Sequence, residues 1–339
     1  SSLDRFLAQP KWEISVYKIH SGKLFMGYPT IGSWTVYGLG SENQNLPAYV
    51  VLTDPLGTPK NGTRNWTSGF LPPTYQGTRL RPTGSPILNL SPQYNQPSEV
   101  TESARKLLNQ LDSLHRKKRP HYPLLDARIE SYSLAARMQM SATEALDLSH
   151  EKQHTLAQYG IGEKRTDSYG RRCLLARRLV ERGVRFVQIF LEEQPWDNHT
   201  DLNANHREIC YRTDKPVAGL LQDLKQRGLL DSTLVVWGGE FGRTPTTQKS
   251  DDGFSGRDHN MQAFTSWMAG GGIKGGTTYG VTDDFGHSVV ENPVSVHDFH
   301  STILHLMGLH HQKLFYTRSG LEERLVGVNP PRVIKEILS

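Results

Sequence analysis

An alternation of helical and strand-like segments in the second half of the chain most constrains the fold. A helical pattern over about 169–182 stops at Gly183 and is followed at once by 184–191, a run of β-branched and aromatic residues that predicts a central strand. A second helical segment, about 206–227, precedes a second buried strand at 233–237. Helix and strand in alternation predict an α/β fold with a layered sheet.

Further segments extend the pattern in both directions. The run 47–52 predicts another buried strand, and 98–149 is helical in its spacing. A third strand of the second half is predicted at 263–269. Ser295 and Asp298 have the spacing of a capping box, which predicts a helix through Leu306. No internal repeat is apparent, and we expect a single α/β domain over 1–339.

Composition and charge exclude several classes of protein. The 339 residues are 36% apolar and 22% charged, which is typical of a globular chain. No apolar run approaches the roughly 20 residues of a membrane span, so no transmembrane segment is expected. The net charge is +5, but basic residues are scattered among 34 acidic ones and do not interleave with aromatic residues. We therefore expect no nucleic-acid partner.

Acidic, imidazole and guanidinium side chains follow the two central strands. Asp197 and His199 come after the strand at 184–191, and Glu240 and Arg243 come after the strand at 233–237. If these strands are parallel, both loops lie at the carboxyl edge of the sheet, where ligands bind in open α/β folds.

A third group, Asp258 and His259, precedes the strand at 263–269. This group joins the same edge only if that strand is antiparallel to the others, and we predict that direction. Mixed carboxylate and imidazole ligands favour Zn, Mn or Fe, with Ca also allowed. Each group of candidate residues also has a simpler explanation. Asp-Asn-His is common in turns, where Asp and Asn bond to their own backbone, and neighbouring acidic and arginine residues form local ion pairs.

Several motifs resemble those of the domain of unknown function 1501 family, in the same order. They are 32–43 (GSWTVYGLGSEN), 65–72 (NWTSGFLP), 86–90 (PILNL), 196–199 (WDNH), 239–245 (GEFGRTP) and 256–259 (GRDH). The resemblance extends over about 27–338. Members of this family are similar to sulfatases and belong with the alkaline-phosphatase-like superfamily.

The resemblance implies an alkaline-phosphatase-like, doubly wound, mostly parallel sheet with helices on both faces. It also implies a one-metal or two-metal site at the carboxyl edge that cleaves phosphate or sulfate esters. Asp197 and His199 resemble a ligand pair, Glu240 resembles the acid of a later motif, and His259 resembles the last ligand histidine. Phe241 stands where a second ligand histidine is usual.

The resemblance also shows where this sequence departs from the family pattern, and it implies where the protein is located. Relatives carry a segment that supplies the first ligand Asp, and nothing like it precedes Gly27, so we expect the chain to lack that N-terminal ligand segment. Export is implied by the family alone, since the sequence at Ser1 has no signal-peptide pattern.

Three functions follow as expectations. The first is a metal-dependent hydrolase of small-molecule or carbohydrate sulfate or phosphate esters, with Arg243 contacting the ester oxygens. The alternative is a non-catalytic binding or scaffold protein that retains the hydrolase fold. A phosphomutase is the third, but it needs a hydroxyl nucleophile that no motif identifies.

Overall fold

The computed structural model describes residues 12–81, 87, 97–120, 122–239, 241–249, 255–327 and 331–339. The helices are α1 (Trp12–Ser21), α2 (Ile31–Leu39), α3 (Ser98–Lys117), α4 (Pro123–Leu146), α5 (Gln153–Gln158), α6 (Asp167–Glu181), α7 (Leu202–Gln226) and α8 (Val296–Leu306). The strands are β1 (Tyr49–Leu52), β2 (Thr78–Leu80), β3 (Phe186–Ile189), β4 (Val235–Trp237), β5 (Gly242–Lys249), β6 (Ser255–Asn260), β7 (Trp267–Ala269), β8 (Val281–Thr282), β9 (Val289–Glu291), β10 (Tyr316–Arg318) and β11 (Leu321–Glu323).

A three-stranded parallel sheet in the order β2-β1-β3 combines two strands of the first half of the chain with β3 of the second half. Its middle strand, Tyr49–Leu52, is at most 3% exposed. Val51 packs with Val36 of α2, and Val50 packs with Leu179 of α6 in a separate cluster. A parallel strand buried on both faces needs a continuous apolar run, which is why 47–52 is identifiable in the sequence.

The remaining strands described in the structure form antiparallel pairs. β4 pairs with β7, β5 with β6, β8 with β9 and β10 with β11. The predicted antiparallel direction of the strand at 263–269 is confirmed relative to β4, although the strand covers only its last three residues. A mixed α/β fold is therefore confirmed, with a short parallel sheet and several small antiparallel ones.

The predicted helices are present with small shifts at their ends. The capping box of α8 is confirmed, since Ser295 Oγ accepts the N–H of Asp298 and the Asp298 carboxylate accepts the N–H of Ser295. The predicted helical segment 98–149 contains two helices, α3 and α4. Among the described helices, none combines the length and the apolar character needed to cross a membrane.

Three histidines, of which His300 is fully buried, join α1 to the rest of the fold. His300 of α8 is fully buried, and its Nε2 donates to the carbonyl of Ile19 over 2.8 Å. His297 Nε2 donates to the carbonyl of Gly22 over 2.7 Å. Gln188 of β3 donates its amide N–H to His20 Nδ1 over 3.2 Å. The imidazoles therefore hold the end of α1 between α8 and the parallel sheet.

Candidate metal centre

The candidate site lies between the loop that follows β3 and the β5–β6 hairpin. Asp197 and His199 belong to the loop, whereas Arg243 lies on β5 and His259 on β6. Arg243 and His259 are paired in the register of the hairpin. Side chains of directly opposed residues lie on the same face of an antiparallel pair. The hairpin therefore presents one guanidinium and one imidazole together to the loop.

Three side chains converge on a single carboxylate oxygen, Asp197 Oδ1. His199 Nε2 lies 2.9 Å from it, His259 Nε2 lies 3.0 Å from it, and Arg243 Nη1 donates to it over 2.5 Å. One ligand atom from each of Asp197, His199 and His259 lies within 4.8 Å of the other two. We call these three residues the Asp-His-His cluster. Its members are all partly exposed, so a ligand from solution can reach them.

A hydrogen bond that His199 donates to Gln248 determines which nitrogen of His199 faces the cluster. His199 Nδ1 lies 2.7 Å from Gln248 Oε1. An amide oxygen only accepts, so a proton is on His199 Nδ1, and Nε2 is the ring nitrogen that faces Asp197. Two acceptor atoms 2.9 Å apart repel each other unless a proton or another cation lies with them. The geometry therefore provides a place for a positive charge.

Charge also keeps Asp197 ionised. Partial burial acts to raise the pKa of Asp197, but the Arg243 guanidinium and the imidazoles of His259 and His199 outweigh it, and the pKa lies below its usual value. An ionised carboxylate is the form that accepts hydrogen bonds and ligates metals.

Close backbone packing sets the distance between hairpin and loop. A Cβ on Gly256 would lie 2.0 Å from the backbone carbon and oxygen of His199. The next residue, Arg257, donates its backbone N–H to the carbonyl of Asn198 over 3.1 Å. Glycine at 256 thus allows the hairpin to approach the loop closely enough for His259 to reach Asp197.

Aromatic rings enclose His259. The Phe241 ring stacks on the His259 ring with centroids 4.9 Å apart, and His199 meets His259 edge-on at 4.8 Å. These contacts orient the His259 imidazole, since its ring plane is fixed on two sides. Phe241, where the resemblance leads one to expect a second ligand histidine, thus packs against a predicted ligand.

The structure brings together four of the six predicted site residues. His199, His259 and Arg243 all contact Asp197. Asp258 is exposed and its carboxylate accepts the backbone N–H of His259. Successive side chains of a strand alternate between faces, which separates Asp258 from the cluster side of β6. Glu240 lies outside the described residues.

Two further residues contact the site: Gln248, which sequence reasoning missed, and His206, a reserve candidate because it lies at the start of a predicted helix. Gln248 is 49 positions from His199 in the chain, and only the β5–β6 hairpin brings it close. His206 Nδ1 lies 3.2 Å from the side-chain nitrogen of Asn198. The spacing of His206 after the Asp-Asn-His motif was the one available signal, because it places the ring at the start of the following helix.

Comparison with known proteins gives a family. The sequence model of the family described as "Protein of unknown function (DUF1501)" matches residues 9–338. No curated protein and no solved structure matches the chain.

Proposed function

The chain belongs to the DUF1501 family, and on that premise we propose that it is a metal-dependent hydrolase of sulfate or phosphate esters. The observation that carries the proposal is the convergence of Asp197, His199 and His259, whose ligand atoms lie within 4.8 Å of one another. Tetrahedral zinc sites hold ligand atoms about 3.4 Å apart, so small side-chain movements suffice.

The donor set fits a divalent transition metal. Two imidazole nitrogens and one carboxylate oxygen form the ligand combination that suits Zn, Mn or Fe, whereas Ca and Mg favour all-oxygen shells. The Nδ1–H of His199 bonded to Gln248 Oε1 is the outer hydrogen bond that metal-ligating histidines usually make. A bound divalent ion would supply Lewis acidity and would lower the pKa of a bound water.

The chain's own residues perform the remaining tasks in this proposal. Arg243 neutralises Asp197 and lies on the cluster side of the hairpin, where its guanidinium is placed to bind oxygens of a sulfate or phosphate group. Gln248 holds the His199 ring, and Phe241 holds the His259 ring. The ester group is thereby positioned between a guanidinium and the metal ligands.

The proposal extends to fold and location. We assign the chain an alkaline-phosphatase-like, doubly wound sheet, supported by the parallel β2-β1-β3 sheet with α2 and α6 packed against β1. The site follows β3 at its carboxyl end, as in other open α/β folds. Export of the protein is part of the same proposal and rests on the family resemblance.

The first test is the metal content of the purified chain, measured by elemental mass spectrometry. We expect Zn, Mn or Fe near one ion per chain, and a loss of most of it in Asp197→Ala and His259→Ala. Asp258→Ala is the matched control, because it removes an exposed carboxylate next to His259 and should retain the metal. Equal metal content in all four proteins would rule out the cluster as the site.

The second test is turnover of aryl sulfate and aryl phosphate by the metal-loaded chain. We expect hydrolysis of at least one ester, with a loss in Arg243→Ala that exceeds any loss of metal. Metal binding without turnover of either ester would favour the alternative, a binding or scaffold protein. The stacking of Phe241 on His259 is the observation that favours that alternative, since it leaves three ligands where relatives have more.

A further inference from the structure

The tryptophans whose burial the structure describes divide into two groups. Trp34 and Trp66 are each 1% exposed and belong to core clusters. Trp196, Trp237 and Trp267 are all partly exposed and lie together. Tryptophan is costly to leave in water, because it carries the largest apolar surface of any side chain. A group of three partly exposed tryptophans beside the candidate metal centre therefore favours a surface that contacts a ligand.

These three residues form what we call the tryptophan wall. Trp237 ends β4 and Trp267 begins β7, and the two are direct cross-strand partners. Their rings are parallel within 5°, with centroids 6.4 Å apart. Trp196 meets Trp237 edge-on, at 89° and 5.8 Å. The rings thus support one another in fixed orientations.

The tryptophan wall is continuous with the candidate metal centre. Trp196 directly precedes Asp197 in the loop. Its ring contacts that of His206, with centroids 5.6 Å apart. His206 Nδ1 also lies 3.2 Å from the side-chain nitrogen of Asn198, the residue between Asp197 and His199. A molecule whose ester group lies at Arg243 would extend along the wall.

The chemistry of the tryptophan wall selects one class of substrate. Its side chains are uncharged, so they suit the neutral part of an ester whose anionic group binds at Arg243. The C–H face of a pyranose ring packs on an indole, while sugar hydroxyls need hydrogen-bond partners, which the indole N–H groups and the partly exposed His206 provide. We propose that the wall binds the sugar rings of a carbohydrate sulfate or phosphate ester, a proposal that rests on the proposed function for the ester group.

The test uses neutral sugars, so that neither metal nor ester chemistry enters it. The full chain is stripped of metal and titrated by calorimetry with tetrasaccharides of β-linked glucose, β-linked galactose and β-linked N-acetylglucosamine. Trp237→Ala and Trp267→Ala are compared with wild type. Trp267→Phe keeps an aromatic ring in case the alanine variants fail to fold. Tyr132→Ala is the control, because Tyr132 is 67% exposed on α4, away from these strands.

We expect at least one tetrasaccharide to bind, with a loss of affinity of tenfold or more in each alanine variant, a smaller loss in Trp267→Phe and no change in Tyr132→Ala. Absence of binding to all three sugars would overturn the proposal, and so would equal binding by wild type and the tryptophan variants. The sugar-binding result and the test of ester hydrolysis can fail independently of each other. Sugar binding without ester turnover would keep the wall and remove the hydrolase, whereas aryl ester turnover without sugar binding would do the reverse.

Discussion

Acidification should destabilise the fold through His300, the fully buried imidazole that joins α8 to α1. Burial lowers the pKa of His300 to about 4 from an ordinary 6.5, and the neighbouring charge of His297 acts in the same direction. His20 faces the same region, with a pKa also lowered to about 4 by burial and by the charge of His300. The neutral form of His300 is thus the one that the folded chain accommodates.

The sign and size of the change in folding stability follow from the linkage between proton binding and folding. The unfolded chain takes up the proton near pH 6.5, whereas the folded chain does so near pH 4. The stability from neutral His300 is therefore complete above pH 6.5 and is lost progressively as the pH falls towards 4. One pKa unit corresponds to about 1.4 kcal/mol, so the loss is about 2 kcal/mol at pH 5 and about 3 kcal/mol once the pH is below 4.

The assay is urea unfolding of wild type and His300→Gln at about pH 7.5 and about pH 5. Glutamine keeps an N–H near the carbonyl of Ile19 but does not titrate. We expect wild type to lose about 2 kcal/mol more than His300→Gln between these two conditions. His305→Gln, an exposed position on the same helix, should behave as wild type. An identical pH dependence in wild type and His300→Gln would refute the reasoning.

Three further predictions concern the candidate metal centre. Gln248→Ala should weaken zinc binding about 10-fold to 100-fold by releasing His199 Nδ1; calorimetry checks this, and an unchanged affinity would contradict the assigned role. Gly256→Ala should lower both the melting temperature and zinc affinity, since its Cβ would overlap the His199 backbone; thermal unfolding with and without zinc measures both, and a stability equal to wild type would show that the hairpin packs differently. Arg243→Lys should lower kcat/KM for an ester about tenfold or more while retaining bound metal, because a lysine loses the bidentate contact; turnover equal to wild type would exclude a guanidinium role.

The elements with strong apolar patterns were predictable from sequence, and those without were not. The run 184–191 contains β3, and the following helix and β4 also lie where predicted. The β5–β6 hairpin was missed, because Gly242–Lys249 is polar and contains Pro245, so it has no apolar alternation to mark it. Its strand character depends on its partner strand and on packing against the loop after β3, neither of which a local pattern records.

The same limit applies to the individual site residues. The predicted grouping of Asp197, His199 and Arg243 is present, since His199 and Arg243 both contact Asp197. The reason differs from the one assumed, because β3 and β4 belong to different sheets and Arg243 lies on β5. Choosing between Asp258 and His259 required knowing that both lie on a strand, where neighbours alternate between faces. Gln248 carried no signal, since its role depends entirely on a long-range contact with His199.

The division of the site between two structural units has a consequence for how it works. Asp197 and His199 are placed by the loop after β3, but His259 and Arg243 are placed by a hairpin that docks against that loop. The contact includes the backbone bond between Arg257 and Asn198. An ion coordinated by residues of both units would stabilise the docked hairpin. Metal binding and hairpin docking are therefore thermodynamically coupled. Each change that loosens the hairpin therefore weakens metal binding, even where it leaves every ligand in place.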